Sequence, residues 1–164
     1  MLRLATMQDL TRIMAIVQDT VREMHAYGTT SGTRFIQLNR NFAADITQGD
    51  LFVSEAEGQI CGLICINQTE PAVYAVPAGL WRKKPWSCIA WQLTRTCAAA
   101  VPALNCCSRL KRSLSVWDCV ILKTDTYALN EKAQQLFLKH GYHFCGEIQF
   151  RKMEHQFYCY EKVL

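Results

Sequence analysis

Metal binding is the first chemistry to consider, because the chain holds nine cysteines and four histidines. Structural zinc sites usually draw their ligands from close pairs such as Cys-x-x-Cys. Here Cys61 and Cys65 are separated by three residues of an apolar run, and Cys106 and Cys107 are adjacent. Even spacing on a strand puts Cys61 and Cys65 on one face, where reduced thiols pack as small apolar groups. The sequence therefore predicts packed, free thiols and no metal site, including at the loose cluster of His140, His143 and Cys145.

A basic, tryptophan-rich window suggests a second chemistry, the binding of nucleic acid. From Pro71 to Trp117 the chain carries seven of its 18 basic residues and none of its 14 acidic ones, together with all four tryptophans. Interleaved basic and aromatic side chains suit phosphates and stacked bases. Residues 81–117 would then be a nucleic-acid-binding module; the alternative is that the window was not selected as protein. Its basic residues are Arg82, Lys83, Lys84, Arg95, Arg109, Lys111 and Arg112.

The spacing of apolar residues predicts the elements that would position these groups. A length of 164 residues fits one domain, and the order of elements predicts an α+β fold with a mixed, largely antiparallel sheet flanked by helices. The pattern is irregular from Glu70 to Val120, where helical residues at 97–110 are interrupted by Pro102. The predicted strands are 2–5, 51–56, 59–66, 86–91, 120–125, 142–148 and 156–164. The predicted helices are 8–27 between Thr6 and Gly28, 42–48 before Gly49, and 130–140 before Gly141.

This order resembles the GNAT superfamily of N-acetyltransferases, over roughly two thirds of the chain. The segment N-E-K-A-Q-Q-L-F-L-K-H-G-Y at 130–142 is similar to the family's N-x-x-A-x-x-L-Y-x-K-x-G-F. The opening strand and long helix, the hairpin at 52–66 and the strand at 157–162 follow the family's order as well. The resemblance implies one acetyltransferase domain over residues 1–164.

The resemblance also implies an enzyme, an acyltransferase that moves an acetyl group from acetyl-CoA to a primary amine of a small molecule or peptide. Members of the family hold acetyl-CoA between two diverging strands, and the amine attacks the thioester directly. The expected partners are therefore acetyl-CoA and an amine acceptor, while homodimer formation stays open. Because no signal segment and no apolar run of membrane length occurs, the sequence predicts a cytoplasmic protein without a membrane partner.

Three cofactor-binding residues are implied by the resemblance: Asn130, Ala133 and Phe137. Asn130 would lie beside the pantetheine or the thioester, and its position also suits a helix N-cap. Ala133 would let the cofactor approach the helix. Phe137 stands where the family often has a tyrosine that protonates the departing thiolate, so another group would have to serve. Candidate donors are Tyr142, Tyr158 and Tyr160; Glu55 and Glu161 are candidate bases, and no catalytic residue is assigned.

The family's pyrophosphate-binding motif, R/Q-x-x-G-x-G/A before a helix, does not occur, since no glycine lies between Gly79 and Gly141. Such glycines let backbone N–H groups approach a diphosphate. In a shifted reading frame, each codon takes the third base of one residue's codon and the first two bases of the next. Read in this frame from Trp86, the gene can encode V-V-H-R-L-A-V-N-P-x-V-R-G-x-G, which contains the motif. We infer that 31–37 and about 73–120 are out of frame. The chain should then bind acetyl-CoA poorly or not at all, and a catalytically inactive GNAT-like protein is a further alternative.

Overall fold

The computed structural model describes residues 1–26, 41–67, 86–93, 121–150 and 154–163, with the backbone alone for 86–93. Its helices and strands confirm the predicted α+β class, and the segments at 31–37 and at 97–110 lie outside the described residues. The regular elements are, in chain order, β1 (Leu2–Leu4), a 3₁₀ turn (Met7–Asp9), α1 (Leu10–Ala26), α2 (Phe42–Gln48), β2 (Leu51–Ala56), β3 (Gln59–Asn67), β4 (Trp86–Leu93), β5 (Ile121–Tyr127), α3 (Glu131–Lys139), β6 (His143–Ile148) and β7 (Phe157–Val163).

The chain divides into two compact units, and the first contains, of the described residues, 1–66 and the last four residues of β4, 90–93. In it β1, β2 and β3 form an antiparallel meander. The predicted hairpin is confirmed, with positive φ at Glu57 and Gly58 in its two-residue turn, as such turns require. One side of α1, with Ile13 and Ile16, packs on the inward residues of β2 and β3, because apolar residues three and four apart share a helix face.

The start of α1 differs slightly from the sequence prediction, because a 3₁₀ turn at Met7–Asp9 precedes the helix. Thr6 begins this turn as expected, and both its N–H and its hydroxyl donate to the carboxylate of Asp9, at 2.7 and 2.9 Å. The predicted helix 42–48 is confirmed and ends at Gly49, whose φ is +78°. Local capping chemistry therefore fixes the entry to α1 and the exit from α2.

The second unit contains, among the described residues, Asn67, the first four residues of β4 and everything from Ile121 onward. β5 pairs with β7 in antiparallel register over its full length, and β6 pairs with the other edge of β7. The predicted strand at 120–125 extends to Tyr127, and the helix predicted at 130–140 is confirmed as α3 with its two cap residues. The chain turns back after α3 at Gly141, whose φ is +78°. None of the helices in the described segments is long and apolar enough to cross a membrane.

Candidate functional site

The ladder between the parallel strands β4 and β5 is short. β4 and β5 pair only through Trp86 with Leu122 and Ser87 with Lys123. No further pair between them is recorded in the described backbone, although β5 continues to Tyr127. A strand edge without a ladder can accept an extended ligand with polar groups along its length. We call the region beside β5 beyond Lys123 the splay.

A buried hydroxyl lies at the start of the splay. Thr124 is the first residue after the last pair with β4, and it is 1% exposed. Its Oγ1 has no hydrogen-bond partner among the residues that the structure describes. In the ladder with β7, Thr124 stands directly opposite Tyr160, so both side chains occur on one face of the sheet.

Asn130 links β5 to α3 and caps the helix. Its Oδ1 accepts a hydrogen bond from the backbone N–H of Ala133 at 3.3 Å, and its own N–H donates to the carbonyl of Tyr127 at 2.8 Å. Gln134 steadies the same turn through a 2.6 Å bond from Nε2 to the carbonyl of Ala128. The predicted N-cap is thereby confirmed. Since the cap uses the amide oxygen, the Nδ2 group is the part of Asn130 left to meet a ligand.

An aromatic cluster surrounds Phe137 on the inner side of α3. Phe137 is 2% exposed, and its ring lies 5.7 Å from the ring of Tyr142 and 5.4 Å from that of Tyr160. Tyr160 also contacts Phe144 of β6 at 5.9 Å. In the structure Phe137 is thus a packing residue, and its contact with a cofactor stays a prediction. Burial raises the pKa of Tyr160, so this phenol is neutral near pH 7 and can donate a proton.

Lys162 of β7 forms a hydrogen bond with the C-terminal end of α3. Its Nζ donates to the carbonyl of His140 at 2.7 Å and lies 5.7 Å from the centre of the Tyr142 ring. A cation at a helix C-terminus interacts favourably with the last carbonyls. The pKa of His140 is lowered by burial and by the charges of Lys162 and Lys139. This contact holds Tyr142 and the aromatic cluster in place.

The candidate bases lie in different surroundings. Glu55 accepts two hydrogen bonds from the guanidinium of Arg3, which also forms a bidentate pair with Asp9. Glu55 therefore has a structural role at the β1–β2 edge. Glu161 stands opposite Lys123 in the β5–β7 ladder, and its Oε2 is buried without a hydrogen-bond partner in the described part of the chain. Neither position is sufficient to assign a base.

The described cysteines are free thiols. Cys61, Cys65 and Cys159 are buried, which confirms the packing predicted for the first two, and Cys145 is half-buried. Burial raises the pKa of Cys145 to about 12 and also raises that of Cys159, which disfavours the thiolate needed for nucleophilic chemistry. Within the described segments no group of three or more His, Cys, Asp or Glu side chains could hold a metal ion, so the absence of a metal site stays a prediction.

The basic window falls almost entirely outside the structure's described part. Of residues 71–117 only the backbone of β4 is described, which confirms the strand predicted at 86–91 and extends it to Leu93. The seven basic side chains of the window and the out-of-frame segment at 31–37 lie outside the described residues. Sequence reasoning did not identify Thr124 as a site residue, because a single threonine in an apolar strand has no distinctive pattern.

Comparison with solved structures identifies the fold. The chain is similar to a GNAT-family acetyltransferase from Streptococcus agalactiae 2603, with a TM-score of 0.79, 17% identity, and coverage of 100% of this chain and 95% of that one. For a GNAT-family acetyltransferase from Listeria monocytogenes 4b F2365, the TM-score is 0.74 and the identity 20%, with coverage of 100% of this chain and 94% of that one. For the PaiA N-acetyltransferase from Thermoplasma acidophilum, in complex with coenzyme A, the TM-score is 0.71 and the identity 10%, with coverage of 100% of this chain and 98% of that one. No protein-family model and no curated protein sequence matches. The chain therefore has the fold of the GNAT superfamily of acetyltransferases.

Proposed function

We propose that this protein is a GNAT-type N-acetyltransferase that moves an acetyl group from acetyl-CoA to a primary amine of a small molecule or peptide. The observation that carries the proposal is the early end of the β4–β5 ladder at Ser87 and Lys123. It leaves the edge of β5 beyond Lys123 without a described ladder to β4, and β5 leads along the chain to the capped start of α3. A structural neighbour from Thermoplasma acidophilum is a complex with coenzyme A, which supports acetyl-CoA as the co-substrate.

The residues around the splay fit the arm of coenzyme A. Asn130 offers the Nδ2 group to a carbonyl of the cofactor while its oxygen caps α3. Ala133 is small enough to let the arm pass close to the helix. Phe137 contributes through its packing under Tyr160. These three residues form the proposed cofactor-binding set.

The chemistry requires a proton at sulfur. When the amine attacks the thioester, a C–N bond forms, the C–S bond breaks, and the thiolate is protonated as the nitrogen loses its proton. Among the candidate donors, Tyr160 has the strongest support, because it packs on Phe137, lies opposite Thr124 and stays neutral when buried. Tyr158 contacts the exposed Phe144, and Tyr142 is held beneath Lys162.

The missing glycines set the expected affinity. Because the chain lacks the glycines that let backbone N–H groups approach the pyrophosphate, we expect it to bind coenzyme A more weakly than the family does, with a dissociation constant in the high micromolar to millimolar range. A catalytically inactive relative is the competing proposal. It would have a stable fold but would release no thiol from acetyl-CoA in the presence of any amine. Nucleic-acid binding by residues 81–117 gains no support from the similar structures, which are acetyltransferases.

The test combines titration with a thiol-release assay over primary amines and peptides. Binding of acetyl-CoA in the high micromolar to millimolar range, with thiol release for some acceptor, is expected. No binding at millimolar acetyl-CoA would overturn the proposal. Asn130→Ser keeps an N-cap acceptor but removes the amide donor, and should weaken binding without lowering thermal stability. Its matched control is Asn41→Ser, because Asn41 caps α2 by the same bond, to Ala44 N–H at 3.2 Å.

Three broader features belong to the same proposal. We expect residues 1–164 to act as one acetyltransferase domain, since the similar structures match 99–100% of the chain. A cytoplasmic location is in keeping with the free thiols among the described cysteines. Homodimer formation stays an open expectation, which sedimentation of the purified protein would decide.

A further inference from the structure

Cys145 and Cys159 lie beside each other on neighbouring strands of the second unit. In the β6–β7 ladder, Phe144 stands opposite Tyr160. A regular register would next pair Cys145 with Cys159, but the register shifts here and Gly146 stands opposite Cys159. Such a bulge sets two residues of one strand against one residue of the other. Cys145 and Gly146 therefore share Cys159 as their neighbour.

The two thiols are on the same face of the sheet. His143 and Glu161 stand directly opposite each other, so their side chains share a face. Cys145 lies two residues after the first and Cys159 two residues before the second, and side chains two residues apart point to one face. Cys145 also packs against the buried apolar cluster that contains Cys159. Burial above all, followed by the charges of Asp125 and Cys145, raises the pKa of Cys159, so the two sulfur atoms interact.

The positions of the two cysteines suit a disulfide. Opposed residues of an antiparallel pair have Cα atoms about 4.5–5.5 Å apart, and a disulfide joins Cα atoms about 4.4–6.8 Å apart. Cys61 and Cys65 are also buried and free, but they lie four residues apart on the single strand β3, a separation of about 13 Å. The β6–β7 ladder therefore brings Cys145 and Cys159 within reach of each other, whereas Cys61 and Cys65 cannot be joined.

We propose that Cys145 and Cys159 are a modification site, a thiol pair that a low-molecular-weight disulfide such as glutathione disulfide converts to a reversible protein disulfide. Cys145 is half-buried and Cys159 is fully buried, so a dissolved oxidant reaches Cys145 first. The Cys145 thiolate attacks one sulfur of the oxidant, forms a mixed disulfide and releases a small thiolate. Cys159 then attacks the Cys145 sulfur and releases the second small thiolate. The released thiolates take up the two protons that the cysteines lose, so two protein thiols are oxidised while one small disulfide is reduced to two thiols.

The exchange should be slow near neutral pH. Burial above all, and then the charge of Glu161, raises the pKa of Cys145 to about 12, while Lys123 acts in the opposite sense. Little thiolate is therefore present at pH 7, and the pair should respond to sustained oxidation. In the described sheet β6 pairs only with β7, so the bond would tie this strand to the one that carries Tyr160. Reversible bonds of this kind suit redox sensing in a reducing compartment.

The experiment incubates the folded protein with glutathione disulfide at about pH 8 for several hours and maps its cysteines by mass spectrometry. Trypsin releases Cys145 in residues 140–151 and Cys159 in residues 153–162, and neither peptide contains another cysteine. The expected product is these two peptides joined, with a mass two hydrogens below their sum, and dithiothreitol should separate them again. The internal control is the pair Cys61 and Cys65, which should not become joined to each other.

Two variants test the order of the steps. In Cys159→Ala, peptide 140–151 should carry one glutathione, because the mixed disulfide meets no second thiol. In Cys145→Ser, peptide 153–162 should stay unmodified, because Cys159 is fully buried. The melting temperature of each protein shows that it is folded, and the mapping of the unaltered chain does not depend on either variant.

Three outcomes overturn the inference. The first is that the folded, unaltered protein yields no joined peptide after prolonged incubation. The second is that Cys145 or Cys159 joins mainly to another cysteine of the chain, which would mean that the ladder does not select the pair. The third is that glutathione attaches to peptide 153–162 in folded Cys145→Ser, which would mean that Cys145 is not the thiol that the oxidant reaches first.

Discussion

The strongest stability prediction concerns the carboxylate of Asp9. Arg3 donates to both of its oxygens, at 2.7 and 2.9 Å, and Thr6 donates twice to Oδ2. Replacing Asp9 by Asn removes the charge that pairs with Arg3. Either orientation of the new amide also places an N–H group against a donor.

The size of the loss follows from the burial of the pair. Removing one partner of a fully buried ion pair costs about 3–5 kcal/mol, whereas exposed pairs are worth about 0.2–1 kcal/mol. The Asp9 side chain is 11% exposed and that of Arg3 is 32% exposed, so we expect Asp9→Asn to cost roughly 2–3 kcal/mol. For a chain of this length the melting temperature should fall by roughly 4–12 °C.

The assay is urea unfolding at several pH values, with Asp19→Asn as control. Asp19 pairs with Arg22 across an exposed helix surface, with side chains 51% and 76% exposed, and its loss should cost less than about 1 kcal/mol. Hydrogen bonds from Arg3 lower the pKa of Asp9 below its usual 3.8. Its stabilising contribution is therefore full above about pH 4 and is lost as the pH falls further. Equal losses for the two variants, or a gap that does not narrow between pH 7 and pH 3, would refute this reasoning.

Two further predictions concern the end of α3. Gly141→Ala should lower the free energy of unfolding by about 1 kcal/mol, because the backbone φ of +78° disfavours a side chain; the added Cβ itself would meet nothing nearer than the Lys162 side chain at 3.9 Å. Calorimetry should compare this variant with Gly141→Asn, because asparagine tolerates such a backbone. Equal melting temperatures for both variants and the unaltered protein would contradict the prediction. His140 has a pKa lowered from 6.5 by burial, Lys162 and Lys139, so unfolding binds a proton, and stability should fall as the pH drops below about 6.5. The urea concentration at the unfolding midpoint, measured from pH 8 to pH 5.5, should depend less on pH for His140→Gln than for the unaltered protein. The same pH dependence in both proteins would contradict the prediction.

The helix caps and the hairpin turn could be predicted from the sequence, because each depends on residues close together in the chain. Asn130 and Gly141 bracket α3 because cap chemistry involves only neighbouring residues, and the hairpin turn at Glu57 and Gly58 follows from alternation and turn chemistry. A signal for Asp9 was also present, since Thr6 followed three residues later by an acid is an N-terminal capping pattern. Its pairing with Arg3 and Glu55 was not readable, because nothing local joins residues 3 and 55.

The sequence by itself determined the α+β order of elements, their caps and the resemblance to GNAT acetyltransferases, since apolar spacing and capping act over a few residues. Only the tertiary structure decided that β7 pairs with β5 along its whole length while the β4–β5 ladder ends at Lys123. Register between distant strands is set by packing over the whole sheet. That register places Thr124 directly opposite Tyr160, a pairing that no local pattern in the sequence predicts.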